Sequence, residues 1–307
     1  MKFQKSHLIV LLFLLALNPL LNGCFLKSMA VDSIADSMAG TGDTFSSDND
    51  PQLVREAIPF SLKLMESILS ATPRHLGLLT ALCKGFTEYG YAYVQSDGEY
   101  VAEANYPQSR ELKTRAKKLY VRARDYGLRG LDVKFKNFSK TIMTDPKTAV
   151  AKAKKEDAEL LYWTGVSWLA AISIGKDDPD LVSEVPQAEG LIYRAYELDP
   201  DFDEGTIHEF LITYEGSRPV LMGGSIKKAK EHFEAALKLN KGLSASTYVN
   251  YAEAVDEKQQ NREEFEEMLN KALAIDVDKK PSWRLVNLIM QKRAKWLLSQ
   301  ADTLFVK

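Results

Sequence analysis

Two thiols, four imidazoles and a glycine pair ahead of two lysines are the groups of this 307-residue chain with reactive chemistry to offer. The histidines are His7, His75, His208 and His232. None stands in a two-histidine motif of metal-ligand spacing, and His208-Glu209 lacks the second histidine of a zinc-hydrolase helix. Gly223-Gly224-Ser225-Ile226-Lys227-Lys228 resembles a phosphate cradle, because backbone N–H groups ahead of a helix attract an anion. The spacing of a true phosphate loop is missing, so a loop joining two helices is the expectation. Asp177-Asp178 and the trio Asp199, Asp201 and Asp203 lie in turn-like stretches near prolines and glycines. Turn formation accounts for them better than general acid–base work. No nucleophile elbow and no cysteine–histidine pair occurs. Catalysis has no assembled site here, so neither an enzyme nor a metal or other cofactor is expected.

Cysteine is the residue whose setting does specify chemistry. Cys24 closes Leu21-Asn22-Gly23-Cys24, behind Lys2, Lys5 and the unbroken apolar stretch Leu8 to Leu17, with Asn18-Pro19 breaking any helix before it. That stretch is too short to span a bilayer, which takes about 20 apolar residues. The arrangement resembles the lipobox of exported bacterial lipoproteins, in which the cysteine sulfur is acylated and becomes the first mature residue. Residues 1–23 are then a signal peptide and 24–50 a lipidated N-terminus and flexible tether, in which Val31, Ile34 and Met38 are spaced to let one helical turn dock on the body. Several acyl chains, at about 0.8 kcal/mol per buried CH₂, would hold the protein on a membrane. Phe25 is not the aspartate that retains many lipoproteins at the inner membrane, so the expected address is the periplasmic face of the outer membrane. Loss of residues 1–23 moves the formal charge from −2 to −4, which gives no general attraction to nucleic acid. Only Cys83 then remains, so no intrachain disulfide can form, and a buried apolar role is expected for it.

Residues 51–307 must therefore stand on a hydrophobic core, and their periodicity is helical throughout. Asp50-Pro51 supplies an N-cap and a proline at the first helical position. Apolar residues recur at three and four positions around 52–70, 76–95, 110–128, 156–174, 187–198, 204–215, 225–239, 244–257, 262–275 and 283–305. The fold class is all-α. Ala188-x₃-Ile192-x₂-Ala195, Ala229-x₃-Phe233-x₂-Ala236 and Phe265-x₃-Leu269-x₂-Ala272 repeat one pattern, with a fainter copy at Ala116-x₃-Tyr120-x₂-Ala123. Their registers are 72, 41 and 36 residues apart, near two, one enlarged and one period of the ~34-residue tetratricopeptide unit. A tetratricopeptide-like solenoid of about four helix pairs is expected, with flanking helices as caps.

Two compositional surpluses remain. Lys113 to Lys140 holds ten Lys or Arg against Asp125 and Asp132, and a solvated face is the expectation. Aromatic residues gather at Phe86, Tyr89 and Tyr93, at Tyr162, Trp163 and Trp168, and at Tyr248 and Tyr251. Such stripes usually pack the core, yet aromatic walls also suit an apolar ligand.

One family unites these features. The lipobox cysteine, Ser28-Met29-Ala30-Val31 with Ile34-Ala35, Asp48-x-Asp50-Pro51-x-Leu53-Val54-Arg55, and Pro59-Phe60-x-Leu62-Lys63-x-Met65-Glu66 form an ordered set of motifs. Gly77-Leu78-Leu79, Gly85-Phe86-Thr87-x-Tyr89 and Gly223-Gly224 ahead of Ala229-x₃-Phe233 continue it. Together they resemble the T-component lipoproteins associated with tripartite ATP-independent periplasmic (TRAP) transporters. The resemblance implies a homotrimer with an apolar, ligand-accessible channel in each subunit, engaging the periplasmic solute-binding P-component. The channel-lining candidates are Phe86, Tyr89, Tyr162, Trp168, Tyr214 and Tyr248. A structural scaffold for envelope protein assembly, binding no small ligand, is the alternative reading.

Overall fold

In the computed structural model, which describes residues 23–40 and 42–305, every regular element is helical. Its main helices are α1 (Gly23–Ala39), α2 (Pro51–Ala71), α3 (Leu76–Tyr89), α4 (Tyr106–Lys134), α5 (Ala158–Ile174) and α6 (Val185–Leu198). They continue with α7 (Thr206–Ser217), α8 (Ile226–Asn240), α9 (Ala245–Tyr251), α10 (Arg262–Leu273) and α11 (Arg284–Leu304). Local chemistry sets the starts. Asp50 accepts from the N–H groups of Gln52 and Leu53 at 3.0 Å ahead of α2, and Asn105 and Ser225 cap α4 and α8 in the same way.

Helices adjacent in sequence pack on one another. α3 meets α4, α5 meets both α4 and α6, α7 meets α8, and α9 meets α10, which leans on α11. The register alanines Ala123, Ala195, Ala236 and Ala272 are fully buried at these contacts. Glycines permit the closest approaches: a Cβ at Gly165 would stand 2.7 Å from Ile192 Cγ1, and one at Gly127 would stand 2.2 Å from Thr164 Oγ1. The 72-residue interval does not hold two units. It is filled by the long α4, by short helices Phe138–Thr144 and Pro146–Val150, and by α5.

Two apolar cores result. One gathers buried residues from Ala35 to Leu211, the other from Ile212 to Phe305, and Tyr91 packs against both. Arg293, 7% exposed, ties them together. It donates to Glu99 at 2.7 Å and to both carboxylate oxygens of Glu253 at 2.7 and 2.6 Å. Glu253 lies in a π-helical turn, Ala252–Asp256, and Glu99 follows a second, Gly90–Gln95.

Composition reads 24–50 as a tether, but its described part is docked. Ala35 is fully buried, Asp32 accepts from Thr72, Asp36 pairs with His75, and Arg284 donates to the Ser47 carbonyl. Small and acidic residues pack closely and offer acceptors, which is why polar composition did not keep the segment free. The expected signal peptide lies outside the described residues except for Gly23, and so does the Cys24 side chain. The basic stretch presents the expected solvated face, with Arg115, Lys118, Arg122 and Arg129 exposed, while Arg122 also pairs with Glu66, Arg124 with Glu184, Lys117 with Asp178 and Lys134 with Asp157.

Candidate functional site

The helices line an open cavity of about 1390 Å³. α3 turns its small and polar edge to it, with Gly77, Thr80, Ala81, Lys84 and Glu88 along the wall, while Leu78, Leu82, Cys83 and Phe86 face the core. α5 is apolar around its circumference because it serves two environments. One side packs on α4 and α6; the other gives Tyr162, Trp163 and Val166 to the cavity. The π-helical turn after α3 adds Tyr91 and Tyr93; a widened turn rotates side chains off the α-helical register. Leu62 and Met65 of α2, Phe210 and Tyr214 of α7, and Val286 and Ile289 of α11 close the remaining walls.

Carboxylates gather along one stretch. Glu88, Glu159, Asp203 and Glu209 all line the cavity. Burial raises the Glu88 carboxyl, Lys84 partly offsets this, and the charges of Asp203 and Glu159 add to the rise. The Glu88 side chain is nonetheless 50% exposed, so it faces water inside the protein. Burial also raises Glu209, against hydrogen bonds that include the Thr247 hydroxyl at 2.6 Å. Asp203 comes from a turn in which Asp203, Glu204 and Gly205 all have positive φ, at 46°, 53° and 110°. Among the described residues no three His, Cys, Asp or Glu side chains converge to hold a metal ion.

The six aromatic candidates divide. Tyr162 and Tyr214 line the cavity, the former donating to the Thr206 carbonyl at 3.4 Å and the latter to Glu189 at 2.8 Å. Phe86, Tyr89, Trp168 and Tyr248 are not among its walls. Phe86 stacks on Tyr126, Tyr89 packs on Tyr93, Trp168 donates to Glu184 at 2.7 Å, and Tyr248 meets Phe233 edge-on. Sequence reasoning did not single out Tyr91, Trp163 or Phe210 as lining candidates. The all-round apolar character of α5 was the signal available for Trp163; Tyr91 depends on the π-helical turn.

The remaining reactive groups have structural settings. Cys83 is fully buried, and burial pushes its thiol up to about 12, out of the reactive range. His75 caps α3 by accepting from the Leu78 N–H. His208 and His232 meet Nδ1 to Nδ1 at 2.8 Å, and burial followed by the neighbouring charge lowers His208 to about 4. Arg218 clasps the glycine loop, donating to the carbonyls of Tyr214, Met222 and Gly223. This clasp holds Val220, Leu221 and Met222 out in solvent at 81%, 101% and 64% exposure. Among the described residues no helix is long and apolar enough to cross a membrane.

Comparison with known proteins adds two findings. A family model described as TRAP transporter T-component matches residues 47–305. An uncharacterized protein of Treponema pallidum (strain Nichols) is 28% identical over 302 residues, covering 92% of this chain and 94% of that protein.

Proposed function

The chain belongs to the TRAP transporter T-component family, a family of transporter components and not of enzymes, and we propose that it carries an apolar or amphipathic small molecule for such a system. In this reading the ligand occupies the internal cavity, and the protein docks the periplasmic solute-binding P-component. Uphill transport belongs to the membrane permease. A lipid at Cys24 anchors the chain to the envelope with its body in the periplasm, on the outer membrane in preference to the inner. Three copies assemble, each with its own cavity, and the four helix pairs stack in the tetratricopeptide manner to give the partner a curved surface.

The cavity carries this reading: about 1390 Å³ walled mainly by apolar and aromatic side chains is more than core packing tolerates and more than a drug-sized ligand requires. Organic extraction of the purified protein, followed by mass spectrometry, should recover a small apolar molecule. Mixing with the solute-binding protein should give a complex in sedimentation. The scaffold alternative is favoured by the exposed apolar loop Val220–Met222, a surface fit for protein contact. Protein that yields no extractable molecule and takes up no apolar probe saturably would leave that alternative standing.

A further inference from the structure

The charge pattern of the cavity deepens the ligand-carrying reading, on which it rests. Its lining includes the carboxylates Glu88, Glu156, Glu159, Asp203, Glu204 and Glu209 against three cations, Lys84, Lys176 and Arg218. Arg218 is engaged by Glu189 and Glu215, and its guanidinium lies over the Tyr214 ring. Glu204 is paired with Lys280. Glu88 stands 4.0 Å from Lys84, and Glu159, Asp203 and Glu209 line the same cavity as Tyr162.

Tyr162 is also the hub of an aromatic group. Its ring centroid lies 5.0 Å from Trp163, 5.6 Å from Phe202 and 6.2 Å from Phe210, and Phe210 stacks on Tyr214 at 5.7 Å. Ring faces attract cations, and carboxylates at the same place add to that attraction. The protein itself demonstrates the chemistry, since the Lys84 ammonium stands over the Trp163 ring at 5.4 Å. Trp163 also lines the cavity, 8% exposed, with its Nε1–H buried away from the open space.

We infer that the cavity takes an amphipathic molecule whose polar head is an amine or ammonium, and that it disfavours a carboxylate head. A carboxylate would have to enter against Glu88, Glu159, Asp203 and Glu209 with Lys84 as the nearby cation; an ammonium meets these groups and the ring faces together.

Three probes of one shape, phenylbutylamine, phenylbutanol and phenylbutyrate, test this by calorimetry on the full-length protein in lipid nanodiscs, with empty nanodiscs as the blank. The amine should bind about tenfold more tightly than the carboxylate, the scale of a partly desolvated cation–π and charge contact. Glu88→Gln with Glu159→Gln should weaken the amine about fivefold, on the same physical grounds, and leave phenylbutanol unchanged. Both side chains are exposed to the cavity water, so melting should be unaltered; should the pair misfold, Glu159→Gln alone is read in the same way. Phenylbutyrate binding as tightly as the amine overturns the charge inference and leaves the ligand-carrying reading intact. Equal loss of amine and alcohol in a folded variant also overturns it. Saturable binding of none of the three overturns both.

Discussion

Val286 and Trp168 separate what lines the cavity from what packs the core. Val286 is 41% exposed and faces the cavity, whereas Trp168 is 1% exposed with its indole N–H bonded to Glu184. Val286→Asp should abolish uptake of an apolar fluorescent probe while moving stability by roughly 0.5 kcal/mol or less. Trp168→Ala should cost about 3–5 kcal/mol and lose uptake only through unfolding. Thermal melting and probe titration on both variants read the two outcomes. A second residue-scale prediction concerns Asp256, fully buried with neither carboxylate oxygen hydrogen-bonded and raised to about 8 by burial and then by Glu264. The folded state therefore holds this proton more tightly than the unfolded state, whose carboxyl titrates near about 4. The sign follows: Asp256 costs little below that value, and its cost grows as pH rises, levelling off above about 8. Asp256→Asn should raise the melting temperature at pH 8, by an energy on the order of a few kcal/mol, and change it little near about pH 4.

Between elements, the important contact is ionic. Arg293 is enclosed and serves Glu99 and Glu253 at once, so it links the helix after the first π-helical turn with the second such turn. Removing one member of a buried network strands the others without compensation. Arg293→Ala should cost about 3–5 kcal/mol. The exposed Arg262, paired with Glu266 and Asp302, should cost no more than roughly 1 kcal/mol when changed to Ala. Denaturant melts followed by both near-ultraviolet dichroism and hydrogen exchange would show whether the two cores also separate in the Arg293 variant, as this link requires. Transitions that remain coincident and barely shifted would contradict it.

For the molecule as a whole, the proposed lipid anchor would decide where the cavity works. Cys24→Ser should block acylation and leave the protein unprocessed or mislocalised, and metabolic labelling with a fatty acid reads the result directly. A wild-type chain that stays unlabelled would refute the lipid anchor. Docking of α1 gives this prediction a structural side, because Asp36 with His75 and Asp32 with Thr72 hold the segment after Cys24 against α2 and α3. A lipid at Cys24 would therefore sit close to the body of the protein and not at the end of a loose tether.

Most helix positions from α2 onward were legible in the sequence, because capping side chains and apolar periodicity act over one or two turns, whereas α1 and the short helices Phe138–Thr144 and Pro146–Val150 were not. Asp50-Pro51 fixed the start of α2, and the alanines at 123, 195, 236 and 272 marked contacts that are indeed fully buried. The cavity was not legible in the same way. A wall that faces an open cavity carries the residues of an outer surface, as Lys84 and Glu88 on α3 do, whereas the aromatic Phe86 and Tyr89 beside them, read as candidate lining, pack in the core. Periodicity says that two faces differ, not which of them meets a void. Tyr91 reaches the cavity from the π-helical turn, and Asp203 from a left-handed turn that local propensity disfavours. What the sequence by itself determined is thus the helical character of the chain and its local boundaries. The closure of helices from α2 to α11 around one volume, and the meeting of Glu88, Asp203 and Glu209 there, were decided by tertiary packing, since residues far apart in the chain interact only once the cores have formed.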